Sequence, residues 1–156
     1  MSAPRIARRV LLALACALCA AQVHAQELSA GQTVYVPCYS HIYHGIKTQP
    51  IDLTVTLSVR NTDPRHAITL SSVDYYDTAG KLVRAYLTDK ATLGPLATQE
   101  YIVAQVDRTG GSGANFMVRW SAAQPVSPPV VEAVMIGTSS QQGISFSSRG
   151  VVVPTR

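Results

Sequence analysis

The sequence predicts an all-β fold of antiparallel strands arranged in two packed sheets, and three observations carry that expectation. Residues 51–60 alternate without error, with Ile51, Leu53, Val55, Leu57 and Val59 on one side and Asp52, Thr54, Thr56, Ser58 and Arg60 on the other. A period of two sends successive side chains to opposite faces of a strand, one buried and one wet. Turn signals rich in Gly, Pro, Asn and Asp then recur at intervals of roughly ten residues, the rhythm of sandwiches and barrels. No stretch carries a helical apolar period over ten or more residues.

The chain opens on a different pattern. Arg5, Arg8 and Arg9 precede an apolar run over 10–21, and small residues follow at Val23 and Ala25. This is the organisation of a secretory signal peptide over residues 1–25, with cleavage before Gln26. The apolar run is about twelve residues, short of the roughly twenty that a bilayer-spanning helix needs. A lipidated first cysteine is the alternative, but the residues before Cys16 (Ala13-Leu14-Ala15) and before Cys19 (Ala17-Leu18) fit that pattern poorly. The expected location is therefore the periplasm or the exterior, and no transmembrane segment is expected once the leader is removed.

Removing the leader changes the arithmetic of the whole chain. The 156 residues carry 13 Lys plus Arg against 9 Asp plus Glu, and three of those arginines leave with the leader. The mature domain, residues 26–156, is then nearly neutral, which argues against nucleic-acid or anionic-membrane binding through bulk charge. Two of the three cysteines leave as well, so Cys38 has no intramolecular partner in an oxidising compartment. It is buried, reactive, or paired with another chain. With 47% hydrophobic and 14% charged residues, the remainder is a single core-forming domain and not a disordered chain.

The expected strands run over 33–39, 51–60, 67–76, 81–87, 100–106, 115–121, 130–138 and 144–153. Asn61-Thr62-Asp63-Pro64 ends the second, because Pro64 cannot donate to a ladder and Asn and Asp bond their own backbone in turns. Asp77-Thr78-Ala79-Gly80 has the Asp-first, Gly-last signature of a type I turn and joins two strands as a hairpin. Leu93-Gly94-Pro95-Leu96, Gly110-Gly111-Ser112-Gly113 and Gln141-Gln142-Gly143 supply further connections. Seven or eight such strands in one domain indicate an antiparallel, two-sheet, immunoglobulin-like β-sandwich, with a small barrel as runner-up. The disulfide that marks antibody domains is absent, and Trp120 is expected in the core.

Three groups of residues are candidates for chemistry. Cys38, His41 and His44 read as Cys-x2-His-x2-His, a donor set suited to copper or zinc. Donors on one ion lie about 3 to 4 Å apart. In an extended strand Cys38 and His44 are instead about 20 Å apart. The site therefore needs 40–45 to curl, with Met117 or Met135 as a soft axial ligand. The plainer reading is a buried thiol followed by two loop histidines. Gly110, Gly111, Ser112 and Gly113, with Asn115, form a glycine-rich loop that lacks the Lys-Ser/Thr ending and helix of a phosphate cradle. It reads as a flexible hairpin loop and, in its functional version, as a recognition loop at one end of the sandwich. For catalysis, Ser40 and His41 are neighbours, yet adjacent residues of a strand face apart. No Gly-x-Ser-x-Gly elbow is present, and Asp74, Asp77, Asp89, Asp107 and Glu132 are scattered. Of Tyr39, Tyr43, Tyr75 and Tyr76, some are expected at the surface.

Several segments together resemble one family. These are Val34-Tyr35-Val36-Pro37, Ser40-His41-Ile42-Tyr43, Arg60-Asn61-Thr62-Asp63, Val73-Asp74-Tyr75-Tyr76-Asp77 with Gly80-Lys81-Leu82-Val83, Gly110-Gly111-Ser112-Gly113-Ala114-Asn115-Phe116, and Gly143-Ile144-Ser145-Phe146. The stretch from about Gly31 to Gly150 resembles the exported bacterial proteins grouped as DUF3124, a domain of unknown function. The resemblance implies no activity and no site residues. Its pattern has an aliphatic residue where this chain has Cys38, which argues against a cysteine-dependent metal site. Residues 61–83 also look like the strand, turn and hairpin of exported accessory modules, a likeness of fold alone. The expected function is thus non-enzymatic binding of an envelope protein or other ligand, with no cofactor expected. Copper or zinc binding by His41 and His44, with or without Cys38, is the alternative, and an envelope hydrolase the third. Partner and oligomeric state are not encoded in any motif.

Overall fold

The computed structural model describes residues 27–138 and 143–154. The leader over 1–25, with Cys16 and Cys19, and Gln141-Gln142 of the expected turn lie outside the described residues. Among the described residues every regular element is a strand, and every strand pairing is antiparallel. No described helix is long and apolar enough to cross a membrane.

The strands are β1 (Ser29–Pro37), β2 (His41–His44), β3 (Gln49–Asp52), β4 (Thr54–Arg60), β5 (Ile68–Tyr76), β6 (Leu82–Ala85), β7 (Ala91–Leu93), β8 (Thr98–Val103), β9 (Asn115–Val126), β10 (Val130–Gly137), β11 (Ile144–Arg149) and β12 (Val151–Val153). One sheet has the order β12-β1-β9-β5-β6, with β7 also paired to β5, and a second has the order β11-β10-β4-β8. Strands β2 and β3 form a separate two-stranded hairpin. The two large sheets pack face to face. Val36, Leu70, Val73, Phe116 and Val118 point inward from the first, and Val55, Leu57, Val59, Val103 and Met135 from the second, all fully buried. Alternation delivers this core directly, since every second residue of a strand returns to the same face.

The observed sandwich has more and shorter strands than expected. The 51–60 segment keeps its apolar side inward, although Ser58 of the expected wet side is buried as well, and it is two strands: residues up to Asp52 pair with β2, and those from Thr54 pair with β8 and β10. The 144–153 segment likewise divides at Gly150, with β11 in one sheet and β12 in the other. At Gly150 the chain crosses between layers so closely that a Cβ would lie 3.0 Å from the Val131 carbonyl oxygen and press on Val34. Only glycine fits there. Strand β9 outruns its expected end at Ser121, reaching Val126, where the pairing with β1 jumps irregularly from Gly31 to Ser29. Trp120 is in the core, as expected.

Two devices fasten the ends and sides. At one end Asn61, buried after β4, donates through Nδ2 to the carbonyls of His66 and Gly94, each at 2.8 Å, and its Oδ1 accepts from the Asp63 amide. Asp63 in turn accepts from the amides of Arg65, His66 and Ser127. One Asn and one Asp thereby weld the β4–β5 connection to the β7–β8 turn and to the loop before β10. On the open side of the sandwich, the Tyr86 hydroxyl donates to the Ile102 carbonyl at 2.9 Å, and its ring packs edge-on against Tyr101.

Candidate functional site

The candidate site occupies the end of the sandwich opposite the Asn61–Asp63 weld. Past β1 the chain crosses this end through Cys38, Tyr39 and Ser40 before turning outward as the β2–β3 hairpin. The Cys38 amide donates to the Ala114 carbonyl at 2.9 Å, and the Ser40 amide donates to Gly111 at 3.1 Å. Leu53 then donates to the Ser40 carbonyl and closes the base of the hairpin. A four-residue turn at 45–48 tops it, with Gly45 and Thr48 both in the left-handed region.

A polar network locks the hairpin onto the crossover between β8 and β9. Ser40 Oγ lies 3.1 Å from the Gly111 carbonyl and 3.2 Å from His41 Nδ1, and His41 Nε2 lies 2.9 Å from the Tyr43 hydroxyl. A carbonyl only accepts, so with a neutral imidazole all three contacts are satisfied by one assignment. Tyr43 donates to Nε2, the Nδ1 proton goes to Ser40, and Ser40 donates to Gly111. On the other side Arg108 grips Asp52 bidentately, Nε to Oδ1 at 2.7 Å and Nη2 to Oδ2 at 2.6 Å. These hydrogen bonds, reinforced by the charge of Arg108, hold the Asp52 carboxyl below its ordinary range and raise the Arg108 guanidinium in turn. Beside them Asp107 is also held low, chiefly by the Thr109 hydroxyl, with Arg84 adding its charge.

The arrangement corrects several sequence expectations. Ser40 and His41 do not face apart, because Ser40 sits at a bend before β2 and its hydroxyl reaches the neighbouring ring. That hydroxyl is wholly buried and its proton is committed to Gly111, so it fastens loops and offers no nucleophile to solvent. The metal set is not assembled either. Cys38 continues the inward face of β1 into the core, where burial pushes its thiol up to about 12. His41 and His44 stand three residues apart on one strand, about 10 Å in extended chain, and the His41 ring is already engaged at both nitrogens. Among the described residues no three His, Cys, Asp or Glu side chains are grouped to hold copper or zinc. Met135 lies in the core, paired across β10 and β4 with Val55, and Met117 faces outward from β9.

The glycine-rich loop is brought against the hairpin, but not as a flexible hairpin of its own. It belongs to the 104–114 crossover between the two sheets, and its glycines serve close approach. A Cβ on Gly110 would overlap the Tyr75 hydroxyl, and one on Gly113 would meet the Thr78 methyl at 3.0 Å. Thr78 Oγ1 donates to the Gly110 carbonyl and accepts from the Gly113 amide, each at 3.0 Å. Ser112 is half-exposed, whereas Asn115 has already entered β9, opposite Pro37 and Tyr76.

The groups that this scaffold presents to solvent are mostly ones that no motif marks. Ile46 at the hairpin tip is fully exposed, Val106 nearly so, and Tyr43 shows about half of its ring surface. Beside them lies the Asp52–Arg108 pair, more than fifty residues apart in sequence and invisible to any local pattern. The one usable signal was Gly45 followed by Ile46-Lys47-Thr48, a turn between two short extended runs that carries an apolar residue at its crest. Chemically, such a surface offers apolar and aromatic area around a fixed ion pair, which suits recognition.

The sequence profile of the family described as Protein of unknown function (DUF3124) matches residues 31–153. No curated protein matches the sequence. Among solved structures, the crystal structure of Thermotoga maritima 1070 is similar over 77% of this chain and 92% of its own, at 9% identity and a TM-score of 0.46.

Proposed function

The chain belongs to DUF3124, a family whose description assigns no activity, and on that premise we propose that it is an exported, non-enzymatic binding module. It works in the periplasm or outside the cell and engages an envelope protein through the hairpin end of the sandwich. One observation carries this reading: an isoleucine stands fully exposed on a hairpin that is itself held by a bidentate ion pair and a buried serine. Apolar area is favoured out of water, at roughly 25 cal/mol per Å² removed. A rigid scaffold that holds such area in solvent keeps it available for a partner without an ordering cost. Tyr43, an amphipathic ring at the side of the same hairpin, is the residue type that interfaces favour.

The leader supports the location, and the neutral mature domain supports a protein partner over nucleic acid. The test uses the exported protein cross-linked in envelope extract, alongside a Tyr43→Ala, Ile46→Ser double variant. Wild type is expected to capture a defined partner that the variant loses while melting unchanged. Identical capture by both proteins, or turnover of hydrolase substrates by the purified chain, would overturn the reading.

A further inference from the structure

The side of the sandwich where β11 hands over to β12 is incompletely covered. The chain leaves the four-stranded sheet at Gly150, whose amide donates to Val131 at 2.8 Å, and β12 then runs as the outermost strand of the six-stranded sheet. Below the handover β10 has lost its β11 neighbour, since their pairing begins at Glu132 opposite Arg149. A groove of about 250 Å³ opens between the sheets here, floored by Val34, Val131, Val152 and Pro129. Val152 lies opposite Val34 in register and faces between the sheets, yet it is 57% exposed, and Val151 on the other face is exposed to the same degree. Among the described residues, both faces of β12 are thus exposed and its outer edge has no strand partner. The edge is blunted by its shortness, three residues before Pro154, but within 151–153 it carries no charge, proline or bulge, so those three residues remain open to pairing.

We propose that this edge receives the β12 of a second copy of the chain, antiparallel about a twofold axis through Val152, joining two six-stranded sheets into one. Three features select a second copy over another occupant. The valine triplet is uncharged, so self-pairing brings no like charges together. A twofold pairing closes on itself and uses the same patch twice, which ends assembly at two copies. The groove is also bipolar. Arg149 precedes β12 and Glu27 precedes β1, and because β1 and β12 are antiparallel these two residues mark its opposite ends. Reversing the second copy end for end places each Arg149 on the same side of the axis as the other's Glu27, so opposite charges share each end of the joined groove.

The register makes a sharp test. Opposed residues of an antiparallel pair have Cα atoms about 4.5 to 5.5 Å apart, within disulfide range of roughly 4.4 to 6.8 Å. Residues offset by two fall beyond it. Val152→Cys in the exported protein is therefore expected to give a covalent dimer on mild oxidation, whereas Val151→Cys, opposite position 153 of the other copy, gives little. The native Cys38 is buried and does not compete. Light scattering of wild type across concentration is expected to show mass doubling, abolished by Val151→Lys with Val152→Lys and weakened by Glu27→Lys. Three results would each overturn the proposal: a monomer at every concentration, equal cross-linking at 151 and 152, or a dimer indifferent to the lysines. Melting of each variant checks that the fold is retained.

Discussion

Single side chains at the two ends of the sandwich do opposite kinds of work. At the welded end Asp63 spends its carboxylate entirely on the protein, accepting first from the Arg65 amide, then from the amides of His66 and Ser127 and the His66 ring, which lowers it from 3.8 to about 2. A carboxyl depressed in the folded state stabilises it at pH values above the unfolded value, and that contribution is lost as pH falls through the folded one. The melting temperature of wild type is therefore expected to exceed that of Asp63→Asn at pH 7, with the gap closing between about pH 4 and pH 2. A gap independent of pH would show that the charge of Asp63 contributes nothing. Asn61 and Asp63 were legible as a turn, because Asn and Asp favour local backbone bonds. Their long-range partners at Gly94 and Ser127 were not, for nothing in the local sequence encodes which loop will arrive beside them. The same limit hid Asp52 and Arg108: ion pairs formed across a fold leave no spacing to find.

At the scale of the strand, alternation identified which residues face the core and was silent on which strand each one meets. Leu53 shows the distinction, since the inward parity runs unbroken from Ile51 to Val59 while the pairing partner changes beneath it. Gly150 shows it again, because a glycine in a strand pattern signals a close approach without naming the Val131 and Val34 it approaches. Short β7 was missed since three residues carry no period. The register itself is testable in β4. Val55 is fully buried between Val103 and Met135, and an aspartate there would be an unpaired charge in an apolar layer. Val55→Asp is expected to cost about 4 kcal/mol or more in urea unfolding. Thr56→Asp, on the solvent face, is expected to cost about 1 kcal/mol or less. Comparable costs at the two positions would mean that the strand is turned over.

The molecule as a whole is an all-strand sandwich with a welded end and a presenting end, and the class of fold was the most legible property of the sequence. Turn chemistry, an unbroken period of two and the lack of helical spacing all pointed one way, and agreement across levels is what specifies a fold. The expected leader makes a claim of the same scale. Mass spectrometry of the exported protein is expected to find Gln26 as the first residue, and a lipid on Cys16 or Cys19 would contradict it.

The placement of β1 also constrains the order of events in making this protein. The first strand lies between β9 and β12, so its neighbours are segments that begin more than seventy and more than a hundred residues after its end. No stable intermediate of the six-stranded sheet can include β1 on both sides until residue 153 is available, and such remote pairings are slow to form. The six-stranded sheet is therefore completed only when β12 is free to pair, so a chain that leaves its point of synthesis or passage N-terminus first closes this sheet only after residue 153 has emerged.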